Sequence, residues 1–90
     1  MKTLTLVKFG HEYCGPCRTL APVLKQIAAK FSETLEYVEK DTYSMNMEEL
    51  EHAKIKAVPT IVLLKNRVEV WRHVGLMSQS AIEQVITSHQ

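Results

Sequence analysis

Two cysteines, the only ones in the 90-residue chain, stand together as Cys14-Gly15-Pro16-Cys17. A C-x-x-C spacing puts the second sulfur one helical turn beyond the first, near enough to close a disulfide across a tight turn. An apolar, strand-like run precedes the pair and a helix-like run follows it. The first thiol therefore falls at a helix N-terminus, where unpaired backbone N–H groups and the positive end of the helix dipole favour thiolate over thiol. Thiolate is the attacking species in thiol–disulfide exchange. The same spacing also reads as half of a zinc site or as an inert pair of thiols, and the flanking pattern favours the redox reading. A metal module would need His11 and one of His52 or His73 to complete four well-spaced ligands, and the last two lie on other elements. His11 itself reads as a solvated loop histidine; the alternative is that, protonated, it supports the Cys14 thiolate.

The chain that must position these sulfurs is long enough for one modest core, which predicts a single domain over residues 1–90. A hydrophobic fraction of 46% and a charged fraction of 23% are those of an ordinary globular protein, neither disordered nor a disulfide-stapled secreted scaffold. The net charge of +1 implies no affinity for nucleic acid or anionic membrane. The apolar run Leu4 to Phe9 is too short, and too interrupted by Thr5 and Lys8, for a signal segment, and no later run could span a bilayer. These features predict a reducing, cytoplasmic setting, in which a lone C-x-x-C is more plausibly catalytic than structural.

Leu4 to Phe9, ended by Gly10, reads as a central strand. A helix follows from about Pro16 to Phe31: Leu20, Val23, Leu24, Ile27, Ala28 and Phe31 recur at helical spacing, and Pro22 inside the pattern should kink it. Leu35 to Glu39 alternates as a second strand. Ser44 or Asn46 then caps a short helix through about Ala53, with Asn46 and Glu49 spaced as a capping pair. Thr60 to Leu64 is a third strand and Val68 to Val74 a fourth, joined by Asn66-Arg67 as a two-residue hairpin turn. Trp71 should pack on a face of that last strand. Ser78 caps a final helix with Ala81, Ile82, Val85 and Ile86 on one face. Met45, Met47 and Met77 read as core filling. The predicted order is βαβαββα.

With Phe9, Tyr13-Cys14-Gly15-Pro16-Cys17, Val38-Glu39-Lys40-Asp41, Val58-Pro59-Thr60, Lys65-Asn66 and Gly75 in this order, the chain resembles the thioredoxin family in its minimal form. Pro22 matches that family's helix-kinking proline. The resemblance implies an α/β, thioredoxin-like fold with a four-stranded mixed sheet ordered second, first, third, fourth strand. In that pattern the first two strands are parallel and the last two antiparallel to the first. It leaves open which helices share a face. It also implies that Val58-Pro59 is a cis bond facing the cysteines, with the Val58 backbone free to pair with an extended substrate segment. Tyr13, Gly15, Pro16, Val58, Pro59 and Gly75, with Leu76, would form a shallow apolar platform around Cys14.

The chemistry implied is reduction of protein disulfides without a bound cofactor: Cys14 attacks, Cys17 resolves, and a thioredoxin reductase or similar donor reopens the Cys14–Cys17 disulfide. A monomer meeting disulfide-containing proteins is the expected working form. Gly15-Pro16 resembles the reducing end of the family. A glutaredoxin-like, glutathione-dependent reductase is the nearest alternative, although Gly75-Leu76-Met77 interrupts the Gly-Gly pattern of that group; a non-catalytic adaptor is another. Two departures stand out. Tyr13 and Gly10 occupy positions where the family commonly has tryptophan. Lys8 stands where the family usually has a buried acid, and Glu39 where it often has lysine and sometimes glutamate. The pair reads as reversed across adjacent parallel strands behind Cys17, with Glu39 or neutral Lys8 as proton acceptor, or charged Lys8 as a stabiliser of thiolate. The alternative is that Lys8 snorkels to solvent and Glu39 is a surface residue.

Overall fold

A computed structural model describes residues 2–90. Strand β1 (Leu4–Gly10), helix α1 (Gly15–Lys30), β2 (Leu35–Asp41), α2 (Met47–Ala53), β3 (Thr60–Lys65), β4 (Val68–Val74) and α3 (Gln79–His89) follow in the expected order, with a short 3-10 turn, Thr42–Ser44, after β2. The strands form one sheet ordered β2-β1-β3-β4. β1 is parallel to β2 and antiparallel to β3, and β4 is antiparallel to β3. β4 therefore runs with β1, which corrects the expectation that both later strands oppose the first. The cause is the Asn66-Arg67 hairpin, which reverses a strand already reversed; both residues adopt the positive φ such a turn needs, 52° and 70°.

Alternation along the strands divides the core in two. Leu4, Leu6, Leu35, Ile61 and Leu63 meet Leu20, Leu24 and Ile27 of α1 and Ile82 and Ile86 of α3. Val7, Phe9 and Val62 face the other way, toward Val38, Met45, Ala53 and Ile55. Helices α1 and α3 thus share one face of the sheet and α2 takes the other. Trp71 packs half-buried on the α1–α3 side, as its place on β4 suggests. Docking of α3 rests on two fully buried isoleucines, which together contribute on the order of 3–6 kcal/mol as an upper bound.

The ends of the elements follow from their local chemistry. α1 is continuous across Pro22. Asn46, not Ser44, caps α2: its side chain accepts the Glu49 N–H at 2.8 Å while Glu49 accepts the Asn46 N–H at 3.1 Å. Ser44 belongs to the preceding 3-10 turn, where Asp41 caps both the Tyr43 N–H and the Ser44 hydroxyl. At the far end of α2, Arg72 donates to the Ala53 and Lys54 carbonyls at 3.0 and 2.9 Å and grips Glu69 with two further bonds. Met45 and Met77 pack against the core as expected, but Met47 is 74% exposed, because it occupies the first turn of α2 where that turn faces solvent.

Candidate functional site

All of the parts gather at one end of the sheet. Gly10, the last residue of β1, pairs with Asp41 at the end of β2; Phe9 pairs with Thr60 at the start of β3, and Thr60 pairs with Val74 at the end of β4. The loop leaving β1 therefore has the end of β2 on one side and the start of β3 on the other. Cys14 closes that loop as the N-cap of α1, and Cys17 lies one turn into the helix. Their Cα atoms are 5.2 Å apart and the sulfurs are joined as a disulfide. The Cys17 N–H donates to Cys14 Sγ at 3.1 Å. An amide N–H and a helix N-terminus aimed at a sulfur are the geometry that favours thiolate over thiol. Exposure is unequal: 8% for Cys14 against 2% for Cys17.

Cys17 is sealed from the sheet side by the backbone of Gly10. A Cβ built on Gly10 would lie 2.8 Å from Cys17 Sγ, so this position accepts no side chain without displacing the sulfur. Beside it opens a cleft of about 320 Å³ whose walls include Lys8, Cys17, Arg18, Glu39 and Asp41.

Lys8 is brought to this cleft by its place on β1, on the face that also carries Leu6. It is in register with Glu39 of β2, and its Nζ lies 2.8 Å from the Glu39 carboxylate. The lysine side chain is 10% exposed and the glutamate 44%. Of the two sequence expectations, the facing pair is therefore present and Lys8 does not snorkel, while Glu39 keeps one side in solvent. The Lys8 hydrogen bond holds Glu39 below the ordinary glutamate range, outweighing partial desolvation. Tyr37, on the same face of β2, buries its hydroxyl without a hydrogen-bond partner. Burial, then the neighbouring Glu39 charge, pushes that hydroxyl above its usual value.

On the other flank the Val58–Pro59 bond is cis, as the resemblance implied, and the Pro59 side chain is fully buried. The Pro59 carbonyl accepts the Gly75 N–H at 2.8 Å. Gly75 has φ of 96°, a conformation that L side chains rarely adopt. Neither the N–H nor the C=O of Val58 makes a backbone hydrogen bond among the described residues. Tyr13, Gly15, Pro16 and Leu76 are exposed, and Val58 and Gly75 are half-buried.

The thioredoxin family model matches residues 1–88. The chain belongs to the thioredoxin family. Thioredoxin of Chlamydia trachomatis is 35% identical over 88 residues, covering 97% of this chain and 83% of that protein. Thioredoxin-1 of Saccharomyces cerevisiae is 36% identical over 90 residues, covering 96% and 81%. The X-ray structure of Fasciola hepatica thioredoxin superposes with a TM-score of 0.84 at 32% identity, over 98% of this chain and 82% of that one. With a C-x-x-C disulfide at the thioredoxin position, the chain is a thiol–disulfide oxidoreductase and specifically a protein-disulfide reductase.

Within the thioredoxin frame, Tyr43 escaped the sequence reading and His11 sits otherwise than expected. His11 is not a free loop histidine: it is half-buried, its ring stacks on Tyr43 with centroids 4.1 Å apart and planes 9° from parallel, and its Nδ1 accepts the Tyr13 N–H at 3.2 Å. Tyr43 reaches it from the 3-10 turn after β2. The signal for that turn was Asp41, a residue type that folds the following backbone onto its own carboxylate. Among the described residues no group of three or more Cys, His, Asp and Glu side chains is placed to hold a metal. No helix among the described residues is long and apolar enough to cross a membrane.

Proposed function

We propose that Cys14 is the attacking thiolate and Cys17 the resolving thiol. Cys14 Sγ forms a bond to one sulfur of a substrate disulfide, the substrate S–S bond breaks, and the departing thiolate takes up a proton. Cys17, deprotonated, then attacks Cys14 Sγ; the mixed disulfide breaks, the second substrate thiolate leaves, and two electrons have passed from the dithiol to the substrate. A reductase of the thioredoxin reductase type returns them. The observation that carries this assignment is the helix-capping position of Cys14, with an amide N–H already aimed at its sulfur, against the deeper seat of Cys17.

Lys8 and Glu39 act on the second step in this reading. A carboxylate held below its ordinary range is a weak base, so the pair serves Cys17 chiefly through the Lys8 ammonium, which stabilises thiolate across the shared cleft. Tyr13, Gly15, Pro16, Val58, Pro59 and Gly75 receive the substrate, with the unpaired Val58 backbone groups available to an extended segment. The reading takes residues 1–90 as one domain, working as a monomer in the reducing cytoplasm, where an isolated redox-active pair is kept turning over.

A trapping experiment tests the assignment. Cys17→Ser should accumulate mixed disulfides through Cys14 with protein substrates, resolved by added dithiol, and Cys14→Ser should accumulate none. Capture by Cys14→Ser alone would reverse the roles.

A further inference from the structure

Two large aromatic rings beside Cys14 are left in solvent: Tyr13 is 74% exposed and Tyr43 is 62% exposed. Exposed apolar side chains are common singly, and a pair that is both exposed and locked calls for an explanation. The lock on Tyr43 is built from three sides. Asp41 accepts the Tyr43 N–H at 3.0 Å and the Ser44 hydroxyl at 3.2 Å, which fixes the 3-10 turn. Thr42 donates its hydroxyl to the Gly10 carbonyl at 3.3 Å, which ties that turn to the end of β1. The His11 ring lies flat against one face of Tyr43.

The same histidine holds the cysteine loop. Its Nδ1 accepts the Tyr13 N–H, and its carbonyl accepts the Cys14 N–H at 3.3 Å. Tyr13 in turn leans over Tyr43, with ring centroids 5.9 Å apart and planes at 37°. The two tyrosines therefore form a continuous surface whose geometry is fixed relative to the nucleophile. It stands on the β2 side of the cysteine loop, whereas Val58, Pro59 and Gly75 stand on the β3 side.

We propose that Tyr43, braced by His11, and Tyr13 form an aromatic shelf that receives an apolar side chain of the protein substrate close to its disulfide. The proposal rests on the assignment of Cys14 as nucleophile and makes Tyr43 a determinant of substrate specificity. Rigid aromatic side chains give contact area at little entropic cost, which is why they dominate recognition surfaces. The occupant follows from continuity: any protein disulfide that reaches Cys14 brings its flanking residues over Tyr13, one position away. A small disulfide has no such residues to offer.

The test compares pre-reduced wild type, Tyr43→Ala and Tyr43→Phe in single turnovers against insulin and against bis(2-hydroxyethyl) disulfide, by acid quenching, alkylating free thiols and following conversion of the Cys14–Cys17 dithiol to the disulfide by mass. Tyr43→Ala should lose about fivefold in second-order rate on insulin, the scale of one aromatic contact, and change less than about twofold on the small disulfide. Tyr43→Phe should match wild type on both. A proportional loss on both substrates would show that Tyr43 merely supports the loop, and an unchanged rate on insulin would show that nothing docks there; either overturns the proposal. Failure of the nucleophile assignment is separately visible, as a Cys14→Ser variant that still reduces the small disulfide.

Discussion

Cutting the Lys8–Glu39 pair from its two ends should give unequal losses of stability. The lysine side chain is 10% exposed and the glutamate 44%, so the ammonium carries most of the desolvation. Glu39→Gln leaves that ammonium buried without a counter-charge. Breaking a fully buried pair costs about 3–5 kcal/mol and an exposed one at most about 1 kcal/mol; with one partner in each setting, a loss of about 1–3 kcal/mol is expected. Lys8→Met removes the buried charge, keeps an unbranched stem and lets Glu39 turn to water, so it should stay within about 1 kcal/mol of wild type. The double variant should resemble Lys8→Met. Acid sharpens the contrast. Because Lys8 holds Glu39 below its ordinary range, the carboxylate contributes stability that is present above the unfolded glutamate value and is lost as pH falls through the lower folded value. Wild type should therefore lose more stability there than Lys8→Met, whose remaining acid sensitivity comes from other paired carboxylates such as Glu69 and Glu83. Urea unfolding followed by circular dichroism, at neutral pH and through the acid range, measures both effects. Equal losses from the two single variants at neutral pH, or a larger loss from Lys8→Met, would refute the reasoning.

Two further outcomes are expected. Gly10→Ala places a methyl group 2.8 Å from Cys17 Sγ, and should destabilise the oxidised protein by about 1–3 kcal/mol, with a smaller effect after reduction frees the sulfur to rotate; unfolding in both redox states checks this, and equal losses would count against it. Arg72→Met strips the donors from the Ala53 and Lys54 carbonyls and should cost about 1–2 kcal/mol, with faster amide exchange in α2 as its signature. Unchanged exchange there would show that the helix end is satisfied without Arg72.

How much could be read in advance depended on how local the cause was. Periodicity located every helix and strand, and Asn46 with Glu49 announced the start of α2 because a capping box is complete within four residues. The in-register meeting of Lys8 and Glu39 was legible too, since both strands are short and their order was implied by the resemblance. What escaped was set by contacts between segments distant in sequence. β2 runs on to Asp41 because it pairs with the full length of β1, although Lys40 and Asp41 have little strand preference of their own. Met47 looked like core material, but capping of α2 by Asn46 turned it outward. His11 looked like a solvated loop residue until Tyr43, thirty-two positions later, was brought against it.

The Lys8–Glu39 register also bears on ancestry. The resemblance implies an acid in place of Lys8 and often a lysine, sometimes a glutamate, in place of Glu39; against the lysine form, this chain carries the same two charges in exchanged seats. Each seat faces the other across adjacent strands at 2.8 Å, so changing the sign of either one alone sets like charges side by side. A lineage that altered one position first would pass through two ammoniums or two carboxylates pressed together in a half-buried site, which repel instead of offsetting one another's burial. From the form with lysine at the second seat, the least costly routes change both positions at once or pass through an uncharged residue such as methionine at position 8. Relatives with lysine at the position of Lys8 should carry an acid or an uncharged residue, not a second lysine, at the position of Glu39.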